Sequence, residues 1–192
     1  MRRSFSALVT VIAVMALLTT SVFAVDRGKD LLQKVQTAGK LVVSTDGGWP
    51  PYSQLIDGTY EGFDIDVATK IAERLGVRVV FLPEPWNEIT AGSWGGLWDI
   101  SVGSMAITPA RAKVLDFSRP YWYEWSDATK GHPVLARLAA AVDKSGPDDR
   151  RFMRLLNKII NDMHADGTLS RLSWKWLGAD YSVVSPRPRP GK

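Results

Sequence analysis

The chain has 192 residues, with 24 Lys+Arg against 20 Asp+Glu, two His and no Cys, for a formal charge of +4 and a sequence pI near 9.4. Five of the basic residues sit at the ends, Arg2 and Arg3 at one and Arg187, Arg189 and Lys192 at the other, so the body carries 19 basic against 20 acidic groups. A nearly neutral body lacks the electrostatic footprint of a nucleic-acid binder, and the absence of cysteine excludes disulfides and thiolate metal sites.

Arg2 and Arg3 precede a largely apolar run from Ala7 to Leu18, followed by small and polar residues up to Ala24. This pattern predicts a secretory signal peptide over residues 1–24, removed after Ala24. Its removal would leave 168 residues, enough for one domain that buries roughly 70% of its unfolded surface. The run is shorter than the roughly 20 residues a membrane span needs. Export to the periplasm is the expected fate.

Leu31, Leu32 and Val35 mark a short helix that Gly39 can close in the left-handed region. Lys40–Thr45 is rich in β-formers and predicts a first strand, broken at Asp46-Gly47-Gly48; the prolines after Trp49 then hold the chain extended. Asp57-Gly58 is a turn signal. Phe63, Ile65, Val67, Ala68, Ile71, Ala72 and Leu75 have the spacing of an amphipathic helix ended by Gly76. A strand over Val77–Leu82, a helical stretch from Trp86, a Gly- and Trp-rich loop and a short strand over Ile100–Val102 complete an order of β, α, β, α, β. That order predicts a parallel sheet with helices on both faces.

Thr108 as N-cap with Pro109 behind it predicts a further helix start, which places Arg111 in a first turn where the dipole disfavours a cation. Either Arg111 turns to solvent or an anion lies between it and the helix terminus. Phe152, Leu155, Leu156, Ile159, Ile160 and Met163 form one apolar stripe ended at Gly167, and a short helix follows over Leu169–Trp176. Trp174 and Trp176 are read as packing residues. The tail "SPRPRPGK" carries no apolar residue after Val184 and is read as disordered.

In an open α/β sheet the ligand sits at the carboxyl ends of the strands, so the loops after Thr45, Leu82 and Val102 are the ones to read. They supply Asp46 and Trp49, then Trp86, then Gly103, Ser104 and the segment through Arg111. Two indole faces, a hydroxyl, backbone amides and one guanidinium make a site for a small molecule bearing a carboxylate. No cofactor and no metal is expected, because two histidines and no cysteine supply neither a nucleophilic triad nor a metal cluster.

The blocks "GKLVVSTDGGWPPYSQLIDGTYEGFDIDVATKIAERLGVRVVF", "WDISVGSMAITPARAKVLDFSRPYWY" and "LNKIINDMHADGTLSRLSWKWLG" resemble the family 3 solute-binding proteins of ABC transporters, the periplasmic binders of polar amino acids. The resemblance implies an α/β, periplasmic-binding-protein-like fold: a first lobe with a parallel or mixed sheet flanked by helices and closed by C-terminal helices. It implies that Trp49 and Trp86 flank the ligand's side chain. Gly103 and Ser104 would meet the α-amino end, a backbone amide at Ala106 the carboxylate, and Arg111 would clamp that carboxylate. The implied partners are a small amino acid and an ABC transporter membrane permease, with no nucleic acid.

The family's second lobe, a domain of about 100 residues, has no counterpart here. Between "SRPYWY", which resembles the outgoing hinge, and "AAAVDKSGPDD", which resembles the returning strand, there remain only the residues "EWSDATKGHPVLARLA", too few for a βαβ unit of about 30. The expected organisation is a signal peptide at 1–24, a first-lobe domain at 25–123, a shortened connection at 124–139, a returning strand with C-terminal helices at 140–181 and a disordered tail at 182–192. A cleft left open on one side weakens the Arg–carboxylate pair. A rim of Trp49, Trp86, Trp94 and Trp98 is expected to favour weak self-association. Two other readings compete: a cyclohexadienyl-dehydratase-like enzyme, for which Asp46 or Glu88 would supply the catalytic acid, and a non-transporting remnant or interaction module.

Overall fold

The structure is a computed structural model that describes residues 30–126 and 134–185. The signal peptide at 1–24, the middle of the shortened connection and the end of the tail lie outside the described residues.

Helix α1 (Leu31–Ala38) is capped by Asp30, whose carboxylate accepts from Gln33 N at 2.8 Å, and it is closed by Gly39 at φ 61°. It delivers the chain into β1 (Lys40–Thr45). Three short strands follow, β2 (Gly48–Trp49), β3 (Ser53–Ile56) and β4 (Thr59–Glu61), which pair antiparallel as a separate small sheet. Helix α2 (Phe63–Leu75) ends at Gly76, φ 73°, and leads to β5 (Arg78–Pro83), α3 (Trp86–Ala91) and β6 (Ile100–Ala106). One 3-10 turn over Arg111–Lys113 precedes the long strands β7 (Leu115–Ser126) and β8 (Val134–Asp143), and α4 (Arg150–Ala165) and α5 (Thr168–Leu177) complete the described chain.

The main sheet has the order β5-β1-β6-β8-β7. β5, β1 and β6 run parallel, whereas β8 is antiparallel to both its neighbours, so the sheet is mixed. One face buries Leu41, Val43, Val102 and Tyr121 under Val35 of α1, Phe63, Val67 and Ile71 of α2 and Phe152, Leu156 and Ile160 of α4. The other face is not layered with helices as the strand and helix order predicts. It is covered by the six-residue α3 and by Trp94 and Trp98, which pack with Ile89, Met105 and Leu115. Gly92, Ser93, Gly95 and Gly96 all have positive φ, a conformation that stops α3 from continuing.

The connection expected at 124–139 is largely strand. Glu124, Trp125 and Ser126 pair with Ala136, Leu135 and Val134, so β7 and β8 form one long antiparallel hairpin where the family pattern leads into a second lobe. Pro120 sits inside β7 without breaking it because β7 is the edge strand and its register shifts on both sides of that residue. The residues after α5 return along the outer edge of β7: Tyr123 N donates to Tyr181 O at 2.9 Å and Trp125 Nε1 to Ser185 O at 3.1 Å. Residues 182–185, expected within a disordered tail, are therefore held against the sheet. Among the described residues no helix is long and apolar enough to cross a membrane.

Candidate functional site

β1 and β6 are neighbours only at Val43–Ile100 and Ser44–Ser101. Beyond those pairs they splay, and β6 also bulges away from β8 between Ser101 and Met105. The backbone of Val102, Gly103 and Ser104 is thereby released toward the end of β1, the position where an open α/β sheet places its ligand. A shallow cleft opens there, lined by Ser44, Asp46, Trp49, Asp64, Trp86 and Gly103 among others. Four of the sequence-predicted residues, Asp46, Trp49, Trp86 and Gly103, thus converge on one cavity from three strand-end loops.

Trp86 forms one wall. A Cβ at Gly103 would stand 3.4 Å from its ring, in ordinary van der Waals contact, so the indole lies close against the β6 backbone. The Arg111 guanidinium stands 5.4 Å from the centroid of the Trp86 ring, and its Nη1 donates to Ala106 O at 3.0 Å. Trp49, 46% exposed, meets Trp86 edge-on at 6.3 Å and Tyr52 at 5.4 Å. Ile107 N donates to Arg137 O across the β6–β8 ladder. Ala106, one residue earlier, therefore turns its own N–H and C=O to the opposite edge, where β1 has already ended.

The helix expected after Thr108 is absent. Thr108 does accept from Arg111 N at 3.3 Å, but a single 3-10 turn follows before β7 begins. So short a turn has no appreciable macrodipole, and Arg111 is accommodated by a carbonyl oxygen and an indole face instead of an anion at a helix end. Its partial burial lowers its pKa from the usual guanidinium value, which still leaves it charged.

Ser104 is buried with φ 47°: its hydroxyl donates to Asp64 Oδ1 at 2.9 Å and accepts from Trp122 Nε1 at 3.0 Å, while its N–H donates to Tyr121 Oη at 2.8 Å. Both groups are thus engaged within the protein in this structure. Trp94 and Trp98 are core residues, 3% and 5% exposed, so the exposed rim reduces to Trp49 and half-buried Trp86. Of the packing residues, Trp176 packs and donates to Asp66 Oδ2 at 2.7 Å, whereas Trp174 is 59% exposed.

Sequence reasoning missed Asp64. It is 1% exposed and sits in the first turn of α2, where Oδ1 accepts from Ser104 Oγ and, at 2.6 Å, from Tyr121 Oη. Burial pushes its pKa up to about 7, against the lowering effect of the Tyr121 and Ser104 hydrogen bonds and with a further push from Asp46. A signal was present. Asp64 occupies the same face as Val67, Ala68 and Ile71, at spacings of three, four and seven, so it belongs to the apolar stripe and not to the solvated side. The carboxylates considered as catalytic acids, Asp46 and Glu88, are both exposed; Asp46 Oδ1 accepts from Gly48 N at 3.2 Å as a turn residue does. Among the described residues no group of three or more His, Cys, Asp or Glu could hold a metal ion.

Comparison with known proteins bears on this geometry. An L-cystine-binding protein, TcyJ of Escherichia coli K12, is 35% identical over 114 residues, which are 59% of this chain and 42% of that protein. A cyclohexadienyl dehydratase of Pseudomonas aeruginosa is 32% identical over 122 residues, covering 63% of this chain and 45% of the enzyme. The chain thus spans less than half the length of either relative. Among solved structures, the arginine-bound form of domain 1 from TmArgBP superposes with a TM-score of 0.57 at 28% identity, covering 67% of this chain and 97% of that domain. The family described as bacterial extracellular solute-binding proteins, family 3, matches residues 41–179. The chain therefore belongs to the family 3 bacterial extracellular solute-binding proteins.

Proposed function

We propose that the chain is an exported, periplasmic solute receptor that delivers a small α-amino acid to an ABC transporter permease. The cleft between the ends of β1 and β6 would hold that amino acid. In this reading Arg111 and the Ala106 N–H receive the carboxylate, Trp49 and Trp86 lie against the side chain, and Gly103 and Asp46 face the ammonium. The observation that carries the reading is the placement of Arg111 over Trp86, whose ring lines a cleft built from three successive strand-end loops. The arginine-bound single domain of TmArgBP supports it, because in that protein one domain holds the amino acid. The test is thermal stabilisation of the full chain by each of the twenty amino acids. The reading expects at least one to raise Tm and expects Arg111→Ala to abolish the rise while leaving the fold intact. A rise that survives Arg111→Ala would remove Arg111 from the site.

A second reading draws on Asp64. A buried carboxyl that keeps its proton near neutrality is the kind of group a dehydratase uses to protonate a departing hydroxyl, and one relative is a cyclohexadienyl dehydratase. Incubation with prephenate or arogenate decides between the two: aromatisation of the ring, lost in Asp64→Asn, would favour the enzyme, and unchanged substrate favours the receptor.

A further inference from the structure

Six buried side-chain polar atoms among the described residues make no hydrogen bond, although one, Asp99 Oδ1, is ion-paired with Lys34 Nζ at 2.8 Å, and three of them, Ser44 Oγ, Asp64 Oδ2 and Ser101 Oγ, belong to residues around the cleft floor. Buried polar atoms are rarely left unpaired without a reason, and here half of those found gather at one cavity. All three can accept a hydrogen bond, and Ser44 and Ser101 are register partners on adjacent strands, so their side chains share a face.

The polarity of the network behind Asp64 is fixed by its members. Trp122 Nε1 and Ser104 N can only donate. The Ser104 hydroxyl accepts the first and must pass its own proton to Asp64 Oδ1; the Tyr121 hydroxyl accepts the second and must do the same. Every proton in the network points at Oδ1. If the carboxyl carries a proton, it is therefore on Oδ2, the oxygen with no protein partner. Among the described residues no cation is paired with Asp64 to compensate it when it ionises. Arg111 is held on Ala106 O and the Trp86 ring, and Lys175 is paired with Asp66 Oδ2 at 2.7 Å. The other titratable groups that face it from packed elements, Tyr121 on β7, Tyr52 before β3 and Asp46 after β1, are all acids and bring no positive charge.

Resting on the reading of this cleft as an amino-acid site, we propose that Asp64 is the counter-charge for the cationic side-chain group of a basic amino-acid ligand, and that seating this group expels the proton from Asp64 Oδ2 into solvent. The O–H bond at Oδ2 breaks, the proton passes to a buffer base, and the ligand's ammonium or guanidinium, already charged, takes the proton's place beside the carboxylate. The indole faces of Trp49 and Trp86 favour the same kind of group. Ligand affinity is thereby tied to external pH, rising as pH rises through the titration of the free site.

The experiment is titration calorimetry of the full chain with L-arginine and with L-lysine, in buffers of different ionisation heat, from pH 6 to pH 8. The wild type is expected to release up to one proton per ligand and to bind about tenfold more tightly at pH 8 than at pH 6. Asp64→Asn keeps the acceptor for Ser104 and Tyr121 and presents an amide donor where Oδ2–H was; it is expected to bind more weakly, with no dependence on pH and no proton release. Circular dichroism checks its fold. If it fails to fold, the Asp64 13Cγ shift of the wild type gives the same answer without a variant, its midpoint lying near neutrality in the free protein and falling when L-arginine is bound. Binding that is independent of pH in the wild type, or a midpoint that arginine does not move, overturns the proposal and leaves the amino-acid site standing. Binding of neutral amino acids alone does likewise. Failure of all twenty amino acids to bind overturns both.

Discussion

At Asp64 the cost of burial is set by the protein as well as by any ligand. An acid whose pKa is raised on folding binds more protons folded than unfolded, so its contribution to stability is fully present below the unfolded value and is lost as pH climbs through the folded one. With the folded value pushed up to about 7, the ligand-free protein should lose stability between about pH 4 and pH 8. At about 1.4 kcal/mol per unit the loss attributable to this one group is on the order of 4 kcal/mol as an upper bound. Thermal melts across that range should show the fall, and Asp64→Asn should flatten it, being closer to the wild type at pH 5 than at pH 8. A variant that tracks the wild type in parallel at every pH would mean that Asp64 ionises without penalty. Arg111 is the other residue on which the site turns. Because its side chain makes one hydrogen bond, to Ala106 O, and one cation–π contact, to Trp86, among the described residues, Arg111→Ala should cost no more than about 1 kcal/mol of stability while removing ligand-dependent stabilisation, a pairing that melts with and without ligand can check.

The elements that place these residues depend on one tight junction. A Cβ on Gly62 would lie 2.3 Å from the Tyr52 carbonyl oxygen, and the residue has φ 137°. Gly62→Ala would force β3 and the start of α2 apart and carry Asp64 with them. We expect a loss of about 3 kcal/mol or more, visible as a lower urea midpoint, together with impaired ligand binding. A midpoint within error of the wild type would show that the junction yields freely. Elements of this kind were readable where a local signal and the tertiary structure agree. Gly39 and Gly76 end helices whose apolar spacing is plain, and β1 lies where the run of Leu and Val places it. Elsewhere non-local pairing prevailed. The Thr108-Pro109 signal yields one 3-10 turn because Leu115 onward is committed to twelve residues of strand against β8. The strands β2, β3 and β4 have only two to four residues each, interrupted by prolines, and leave no periodic trace. In the site, the strand-end rule led to Trp49, Trp86, Gly103 and Arg111, each near the end of a strand. Asp64 escaped it because it enters the cleft from the first turn of a helix, and the hydrogen bonds of Ser104 were not legible because only its tertiary partners Asp64, Trp122 and Tyr121 reveal them.

On the scale of the whole molecule, the hairpin of β7 and β8 decides how strong binding can be. The strands that resemble a hinge pair with each other along Trp122–Ser126 and Val134–Leu138, and among the described residues no second α/β lobe rises from them. One side of a bound amino acid then stays in water, and the Arg111–carboxylate pair contributes little beyond the 0–1 kcal/mol of an exposed ion pair. The expected Kd is no tighter than roughly millimolar, about 4 kcal/mol. Micromolar binding by a monomer would show that the single lobe encloses its ligand better than its geometry implies. The central claim is that this lobe alone is an amino-acid receptor, and the most direct test is a thermal-shift panel of the twenty amino acids, at tens of millimolar, on the full chain and on Arg111→Ala. The account predicts that one or more of them raises Tm in the wild type and not in Arg111→Ala; a panel in which nothing shifts, or in which both proteins shift alike, would contradict it.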